Sequence, residues 1–160
     1  MDAKKESNRT TLVRKSDREL VVTRIFDAPA RIVFKAWTTA EVFKQWWAPK
    51  SMEATLRSVE MDVRTGGGYR VEFVHPQAPE PFAFYGKYLE VTPPSRLVWT
   101  NAENDQGAIT TVTFEEKGGK THLTLSELYP TKEALDEAIS GMEAMDEQFL
   151  QLDEVLVTLT

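Results

Sequence analysis

The chain has 160 residues, the size of one domain, and folding at this length buries roughly 70% of the surface of the unfolded chain. Its composition is 41% hydrophobic and 28% charged, which excludes a disordered chain. Cysteine is absent, which excludes disulfides, thiolate nucleophiles and zinc–thiolate sites. The formal net charge of −6 disfavours a nucleic-acid-binding protein, because such proteins are usually basic.

Acidic side chains are concentrated at the C-terminal end. Residues 131–160 hold one basic and eight acidic side chains, whereas residues 1–50 hold eleven basic and six acidic ones. An acidic end is typical of a solvated helix face, but it also suits a docking surface for a basic partner. The first residues lack the apolar core of a signal peptide, and no run approaches the ~18 apolar residues of a membrane span. We therefore expect a soluble, cytoplasmic protein that binds neither a membrane nor nucleic acid.

The first elements in chain order are a strand and two short helices. Residues 11–26 are rich in branched and aromatic side chains and predict the strand. Apolar residues recur at helical spacing over residues 30–37 and predict the first helix. Thr38 or Thr39 is predicted to cap the second helix, because Thr38 and Glu41 have capping-box spacing, and Pro49 is predicted to end it.

The middle of the chain predicts about six further strands. Alternation of apolar and polar residues, interrupted by glycine and proline turns, places them at residues 52–63, 69–74, 82–91, 96–101, 109–117 and 120–128. Val112 and Phe114 share one face of their strand, and Leu123 and Leu125 share one face of the next. The expected result is an antiparallel sheet with one buried and one exposed face.

The C-terminal part predicts a short helix and then a long one. The short helix covers residues 131–139, and Ser140 and Glu143 have capping-box spacing for the long helix. The apolar stripe of the long helix consists of Met142, Met145, Phe149, Leu152, Leu156 and Leu159. One such helix must cover one face of a curved antiparallel sheet, so the fold class is α+β. A cavity is expected between sheet and helix, because the two rarely pack together without a gap.

Several segments resemble one known superfamily. They are VTRIFDAPARIVFKAWTTAEVFKQWW near the N-terminus, GGGYR at 66–70, FYGKYLEVTPPSRLVWTN at 84–101, TTVTFEEKGGKT at 110–121, LYP at 128–130 and QLDEVL at 151–156. The chain resembles the START-like, helix-grip superfamily. Within it, the chain is similar to bacterial single-domain proteins related to the C-terminal domain of the activator of heat-shock protein 90 ATPase. The resemblance implies a helix-grip domain over residues 11–160, preceded by a flexible N-terminus, residues 1–10.

The resemblance implies a pocket for an apolar or amphipathic small molecule, and it also implies a chaperone partner. Candidate ligand-binding residues are aromatic side chains near such a pocket and methionines on the long helix. They are Trp46, Trp47, Tyr69, Phe73, Phe84, Tyr88, Trp99, Met142, Met145 and Phe149. Plain core packing is the alternative explanation for each of them.

Two titratable residues complete the candidate set. Alternation places Glu127 on the core face beside Leu125, where a carboxylate is costly unless it is paired. It is either a polar anchor or acid–base group of the pocket, or a strand-end residue that reaches water or the next helix. His75 either faces the pocket mouth or lies at a loop edge, and His122 is expected on the exposed face. No nucleophilic triad and no metal-ligand spacing is present.

Three functions remain open from the sequence. The first is a non-enzymatic protein that binds a hydrophobic small molecule, without a cofactor or metal. The second is a chaperone-linked interaction module. The third, which the resemblance implies, is an enzyme of the cyclase or dehydratase type that uses Glu127 with a tyrosine or His75. Exposed edge strands are compatible with a monomer or a homodimer.

Overall fold

The computed structural model describes residues 10–53, 55–100, 107–139 and 144–159. The strands in these ranges are β1 (Thr11–Arg14), β2 (Glu19–Phe26), β3 (Thr55–Met61), β4 (Gly68–Val74), β5 (Phe82–Thr92), β6 (Arg96–Thr100), β7 (Ile109–Lys117) and β8 (Lys120–Leu128). The helices are α1 (Ala30–Thr38), α2 (Ala40–Phe43), α3 (Lys132–Ala138) and α4 (Ala144–Leu159), and a 3-10 turn covers Lys50–Met52.

The strands form one curved antiparallel sheet in the order β1-β2-β8-β7-β6-β5-β4-β3. The hairpin of β7 and β8 pairs Val112 with Leu125 and Phe114 with Leu123, and all four side chains are buried. This face packs against the helices. The predicted α+β helix-grip fold, with a curved antiparallel sheet and a long C-terminal helix, is confirmed.

The predicted first strand is in fact a hairpin. Residues 11–26 divide into β1 and β2, and the backbone N–H of Lys15 donates to the carbonyl of Glu19 at 2.9 Å to close the turn. The turn contains Ser16 and Asp17, and such side chains favour turns because they can hydrogen-bond the local backbone. The polar run between the two apolar segments was the signal for this break.

The second helix is shorter than predicted. Thr39, one of the two predicted caps, precedes it without a side-chain capping hydrogen bond, and the capping box of Thr38 and Glu41 does not form. Helix α2 ends at Phe43, and the chain continues through turns that contain Trp46. Thr38 is the last residue of α1, and its hydroxyl donates to the carbonyl of Phe34 at 2.8 Å. Trp46 is completely buried, and its indole N–H donates to the carbonyl of Ala36 at 3.0 Å. Tertiary packing of this ring outweighs the local helical pattern.

Helix α3 begins as the sequence predicts. Thr131 precedes it, and its hydroxyl accepts a hydrogen bond from the backbone N–H of Ala134 at 3.0 Å. The predicted capping box of Ser140 and Glu143 lies outside the described residues, as do residues 1–9 of the segment expected to be flexible.

Helix α4 packs on the core face of the sheet. The ring of Phe149 meets the ring of Phe26 edge-on, with centroids 5.4 Å apart. Arg24 on β2 is 3% exposed, and its Nη2 lies 2.6 Å from Oδ2 of Asp153 on α4. A second, smaller core cluster of Leu20, Tyr129 and Leu135 lies under α3. None of the helices in the described ranges is long and apolar enough to cross a bilayer.

Candidate functional site

A cavity of about 250 Å³ lies between the first two helices and one half of the sheet. It is lined by side chains of α1, α2, the turn after α2, and strands β3 to β6. The lining residues are Trp37, Phe43, Trp47, Met61, Tyr69, Val71, Phe73, Phe84, Tyr88 and Trp99. Eight of the ten side chains are aromatic, so the wall offers ring faces and edges more than flexible aliphatic surface.

The cavity lies where the sheet bends. The first half of β5 pairs with β4 and the second half pairs with β6, and the register shifts between Tyr88 and Glu90. Such a shift marks a bulge or another irregularity of the strand pairing, and irregularities of this kind bend strands. At Gly86 a Cβ atom would lie 1.8 Å from the carbonyl oxygen of Thr100. Glycine therefore permits the close approach of the backbones at the bend.

Alternation along β4 supplies one wall. Tyr69, Val71 and Phe73 point to the same face, as side chains two residues apart on a strand must. Val71 is opposite Phe84 in the register of β4 and β5. Phe73 stacks on Phe82, with centroids 5.4 Å apart.

The mouth of the cavity is marked by exposed rings. Phe84 lines the cavity and is 43% exposed, and Phe82, which is 41% exposed, meets it edge-on with centroids 5.9 Å apart. Exposed phenylalanine rings beside a buried aromatic wall form a continuous apolar path from solvent to the interior.

The opposite wall is built around Trp37. This ring is 2% exposed and lies edge-on to Trp46 and Trp47, at centroid distances of 4.9 and 6.2 Å. The ring of Trp99 on β6 lies 6.0 Å from the ring of Trp37, measured between centroids. Trp47 in turn stacks on Phe43 at 4.7 Å. The wall is held by ring contacts, which favour these offset and edge-on arrangements.

The few polar side-chain groups on the wall of the cavity differ in whether they have a hydrogen-bond partner. The hydroxyl of Tyr69 donates to the carbonyl of Thr100 at 2.9 Å. Within the described residues, the hydroxyl of Tyr88 makes no hydrogen bond, and burial raises its pKa to about 12. The indole N–H of Trp37 is also buried without an acceptor there. No charged side chain lines the cavity in the described part of the chain.

Arginines near the β3–β4 turn are paired with acids outside the cavity. Arg57 and Arg70 both contact Glu72, at 3.2 and 3.0 Å, and Arg64 contacts Asp62 at 3.0 Å. They are not part of the lining, so they bring no positive charge to the wall. In the described ranges, no three His, Asp or Glu side chains converge in the way a metal ion requires.

The structure brings six of the twelve residues predicted for the pocket into this lining: Trp47, Tyr69, Phe73, Phe84, Tyr88 and Trp99. Sequence reasoning missed Trp37, Phe43, Met61 and Val71. Val71 could have been found, because it lies between Tyr69 and Phe73 on the same strand face. Trp37 could have been found from the helical periodicity of residues 30–37.

Other predicted residues lie in the core and not at the cavity. Trp46, Met145 and Phe149 are buried and pack in the main core cluster. Among the described residues, no side chain of α4 lines the cavity. This cavity therefore does not lie between the sheet and the long helix, where the sequence predicted one, and Phe149 of that helix packs against Phe26 and Trp37. Met142 lies outside the described residues.

The two titratable candidates also lie away from the cavity. His75 follows β4, and its Nδ1 accepts a hydrogen bond from the backbone N–H of Gln77 at 3.0 Å, in a loop. Glu127 lies at the end of β8, where the Tyr129 hydroxyl donates to its carboxylate. Burial raises the pKa of Glu127, while this hydrogen bond lowers it in part. Glu127 therefore lies at the strand end, as the second alternative expects, and its carboxylate is hydrogen-bonded by the Tyr129 hydroxyl.

Solved structures of similar shape support the fold. A protein of Rhodobacter sphaeroides is 21% identical to this chain, with a TM-score of 0.85 over 95% of this chain and 100% of that one. A protein of Staphylococcus epidermidis is 28% identical, with a TM-score of 0.76 over 94% and 95%. The AHSA1-like protein of Aeromonas hydrophila is 18% identical, with a TM-score of 0.70 over 84% and 92%. No curated protein matches the sequence.

A family model covers most of the chain. The model described as Activator of Hsp90 ATPase homolog 1-like protein matches residues 27–157, from just before α1 almost to the end of α4. The match includes every residue that lines the cavity. The chain therefore belongs to the family of Activator of Hsp90 ATPase homolog 1-like proteins.

Proposed function

We propose that this chain binds an uncharged, mostly apolar small molecule in the aromatic cavity and that it acts by binding, without catalysis. The observation that carries the proposal is an open cavity lined by eight aromatic residues in a chain of this size. A folded domain normally fills such a space with its own side chains, since interiors are close-packed. A cavity of this kind is therefore the first candidate for a binding site.

The size of the cavity limits the ligand. An apolar cavity of 150 Å³ holds benzene, so about 250 Å³ holds about ten non-hydrogen atoms by proportion. That is the size of two fused rings. A longer amphipathic molecule would have to extend past the exposed rings of Phe82 and Phe84.

The chemistry of the wall favours binding over catalysis. General acid–base chemistry needs a titratable group within hydrogen-bond reach of the substrate. The only titratable side chains on the described lining are Tyr69 and Tyr88, and burial moves the pKa of Tyr88 further from neutral, to about 12. Glu127, the acid that the enzymatic alternative requires, lies in the separate cluster around Tyr129.

Tryptophan fluorescence tests the proposal directly. Three of the four tryptophans, Trp37, Trp47 and Trp99, line the cavity, so a bound ring compound should change the emission of the protein. Native mass spectrometry of the purified chain is expected to reveal a co-purifying small molecule.

A matched pair of variants locates the binding site. Val71→Phe places a ring in the cavity, whereas Val157→Phe places the same ring at a position that is 76% exposed on α4. We expect the first variant to lose binding and the second to keep it. Equal binding by both variants, with both folded by circular dichroism, would show that the cavity is not the site.

A chaperone-linked role is the second candidate, and family membership is the observation that favours it. The acidic C-terminal end offers a surface for a basic partner, but several of its acids are already engaged. Asp146 and Asp153 face Arg24, and Glu147 accepts a hydrogen bond from the backbone of Ser51. Stimulation of ATP turnover by an Hsp90 chaperone, weakened by salt, would support this role. A lack of stimulation would exclude it.

A further inference from the structure

The hydroxyl of Tyr88 is the one cavity group whose hydrogen-bonding capacity is both accessible and unused in the described part of the chain. Tyr88 is 4% exposed, lines the cavity and lies on the core face of β5. Its hydroxyl makes no hydrogen bond there, and burial is the cause of its raised pKa. A buried hydroxyl without a partner destabilises a protein, so such groups normally find one.

The other polar groups of the wall are committed or enclosed. The hydroxyl of Tyr69 already donates to Thr100 at 2.9 Å. The indole nitrogen of Trp37 is sealed by surrounding protein, whereas the Tyr88 oxygen keeps some accessible surface. Tyr88 therefore remains as the donor that a ligand can reach without rearrangement of the wall.

The described wall of the cavity carries no charged side chain, so an uncharged ligand is expected. With a pKa of about 12, Tyr88 stays protonated at neutral pH and can donate its proton to an acceptor. No Lys or Arg lines the described wall to pair with an anion, and no Asp or Glu lines it to pair with a cation. Either ion would lose its hydration without compensation.

We propose that the cavity binds an uncharged ring compound of about ten non-hydrogen atoms that carries a carbonyl oxygen, and that the Tyr88 hydroxyl donates a hydrogen bond to that oxygen. This inference rests on the proposed function and specifies its ligand class. The aromatic wall holds the ring, and Tyr88 orients it through one polar contact. Sites of this kind bind the bulk of the ligand by apolar contact and fix its orientation by a few polar groups.

The test compares two probes of nearly equal shape by isothermal titration calorimetry. The probes are 1-tetralone, which carries a carbonyl oxygen, and tetralin, which lacks it. The wild-type chain is expected to bind the ketone about tenfold more tightly, the effect of one hydrogen bond to a buried donor. In Tyr88→Phe the two affinities should become equal, with the affinity for tetralin unchanged.

The matched control is Tyr85→Phe. Tyr85 lies on the same strand, is 49% exposed and does not line the cavity, so its loss should leave the preference for the ketone intact. The urea midpoint of Tyr88→Phe should equal or exceed that of the wild type, because the hydroxyl makes no hydrogen bond to any other described residue. A lower midpoint would mean that the hydroxyl has a structural role, and it would overturn the assignment.

The remaining outcomes separate this inference from the proposed function. Binding of both probes without a preference, or a preference that persists in Tyr88→Phe, overturns the role of Tyr88 and leaves the cavity as a binding site. Binding of the anion 1-naphthoate as tightly as the ketone overturns the uncharged ligand class. Failure of both neutral probes to bind refutes the proposed function and this inference with it.

Discussion

Gln151 on α4 is expected to be a major source of stability for the segment that carries one wall of the cavity. Its side-chain amide donates to the carbonyls of Trp46 and Ala48, both at 3.0 Å, and its carbonyl accepts from the backbone N–H of Lys50 at 2.9 Å. Gln151 is 8% exposed. This residue thus satisfies three backbone groups of an irregular segment that lacks regular backbone pairing.

The substitution Gln151→Met removes the amide and keeps the length of the side chain. Three hydrogen bonds at about 1 kcal/mol each predict a loss of about 3 kcal/mol in the free energy of unfolding. For a chain of this size the melting temperature should fall by about 6–12 °C. Because Trp47 lies between the bonded backbone groups, ligand binding should weaken as well.

Urea titrations followed by circular dichroism measure the loss, with Gln45→Ala as the control. Gln45 is an exposed amide, and its single side-chain hydrogen bond, to the carbonyl of Glu41, is 3.2 Å long. Gln45→Ala should lower the free energy of unfolding by less than about 0.5 kcal/mol. A loss below about 1 kcal/mol for Gln151→Met would refute the reasoning, since it would mean that water or a shifted backbone replaces the three bonds.

Three further predictions concern other parts of the fold. Glu127→Gln should raise the free energy of unfolding at pH 7, because burial raises the pKa of this carboxyl above 4.5 even though Tyr129 donates to it. The contribution of the native carboxyl is complete below about pH 4.5 and is lost as the pH rises through the raised pKa, so the advantage of the variant should grow between pH 4 and 8. Arg24→Met should lower the free energy of unfolding by about 3 kcal/mol. This is the low end of the range for removing one partner of a buried ion pair, because 27% of the Asp153 side chain is accessible to solvent. Gly86→Ala should prevent stable folding, since its Cβ would lie 1.8 Å from a carbonyl oxygen.

Each of these predictions has a contrary outcome. A stability difference between Glu127→Gln and wild type that does not change with pH would mean that the native carboxyl titrates normally. A double variant in which Asp153 is also replaced by Leu should recover most of the loss of Arg24→Met, and no recovery would place the cost in packing of the Arg24 stem. A Gly86→Ala protein with wild-type melting behaviour would show that the bend in β5 tolerates a side chain.

Local signals explain why many elements could be predicted from the sequence. The bounds of β7 and β8 follow from strict alternation and from the Gly118–Gly119 turn, where both glycines have positive φ. The start of α3 follows from Thr131, which bonds a group only three residues away. Signals of this kind act within one turn or one strand pair, so tertiary contacts do not need to be known.

The site was less predictable because its residues meet across long separations in sequence. Alternation correctly placed Glu127 on the core face, but it could not show that α3 and Tyr129 cover that end of the sheet. Trp46 and Trp47 are neighbours with similar local signals, yet one packs in the core and the other lines the cavity. The first backbone N–H of α1 also finds its hydrogen-bond acceptor far away in the sequence, since Ala30 donates to the carboxylate of Glu116 at 2.8 Å.

The sequence by itself therefore determined the α+β class, the order of the elements after the first hairpin and the aromatic residues from which a cavity could be built. Only the tertiary structure decided where the cavity lies. It formed at the bend of β5 and not beneath α4, because Phe149 fills the space under the helix while Gly86 lets the sheet curve away. Strand periodicity determines the face on which a side chain lies, whereas packing of distant elements determines which part of that face stays open.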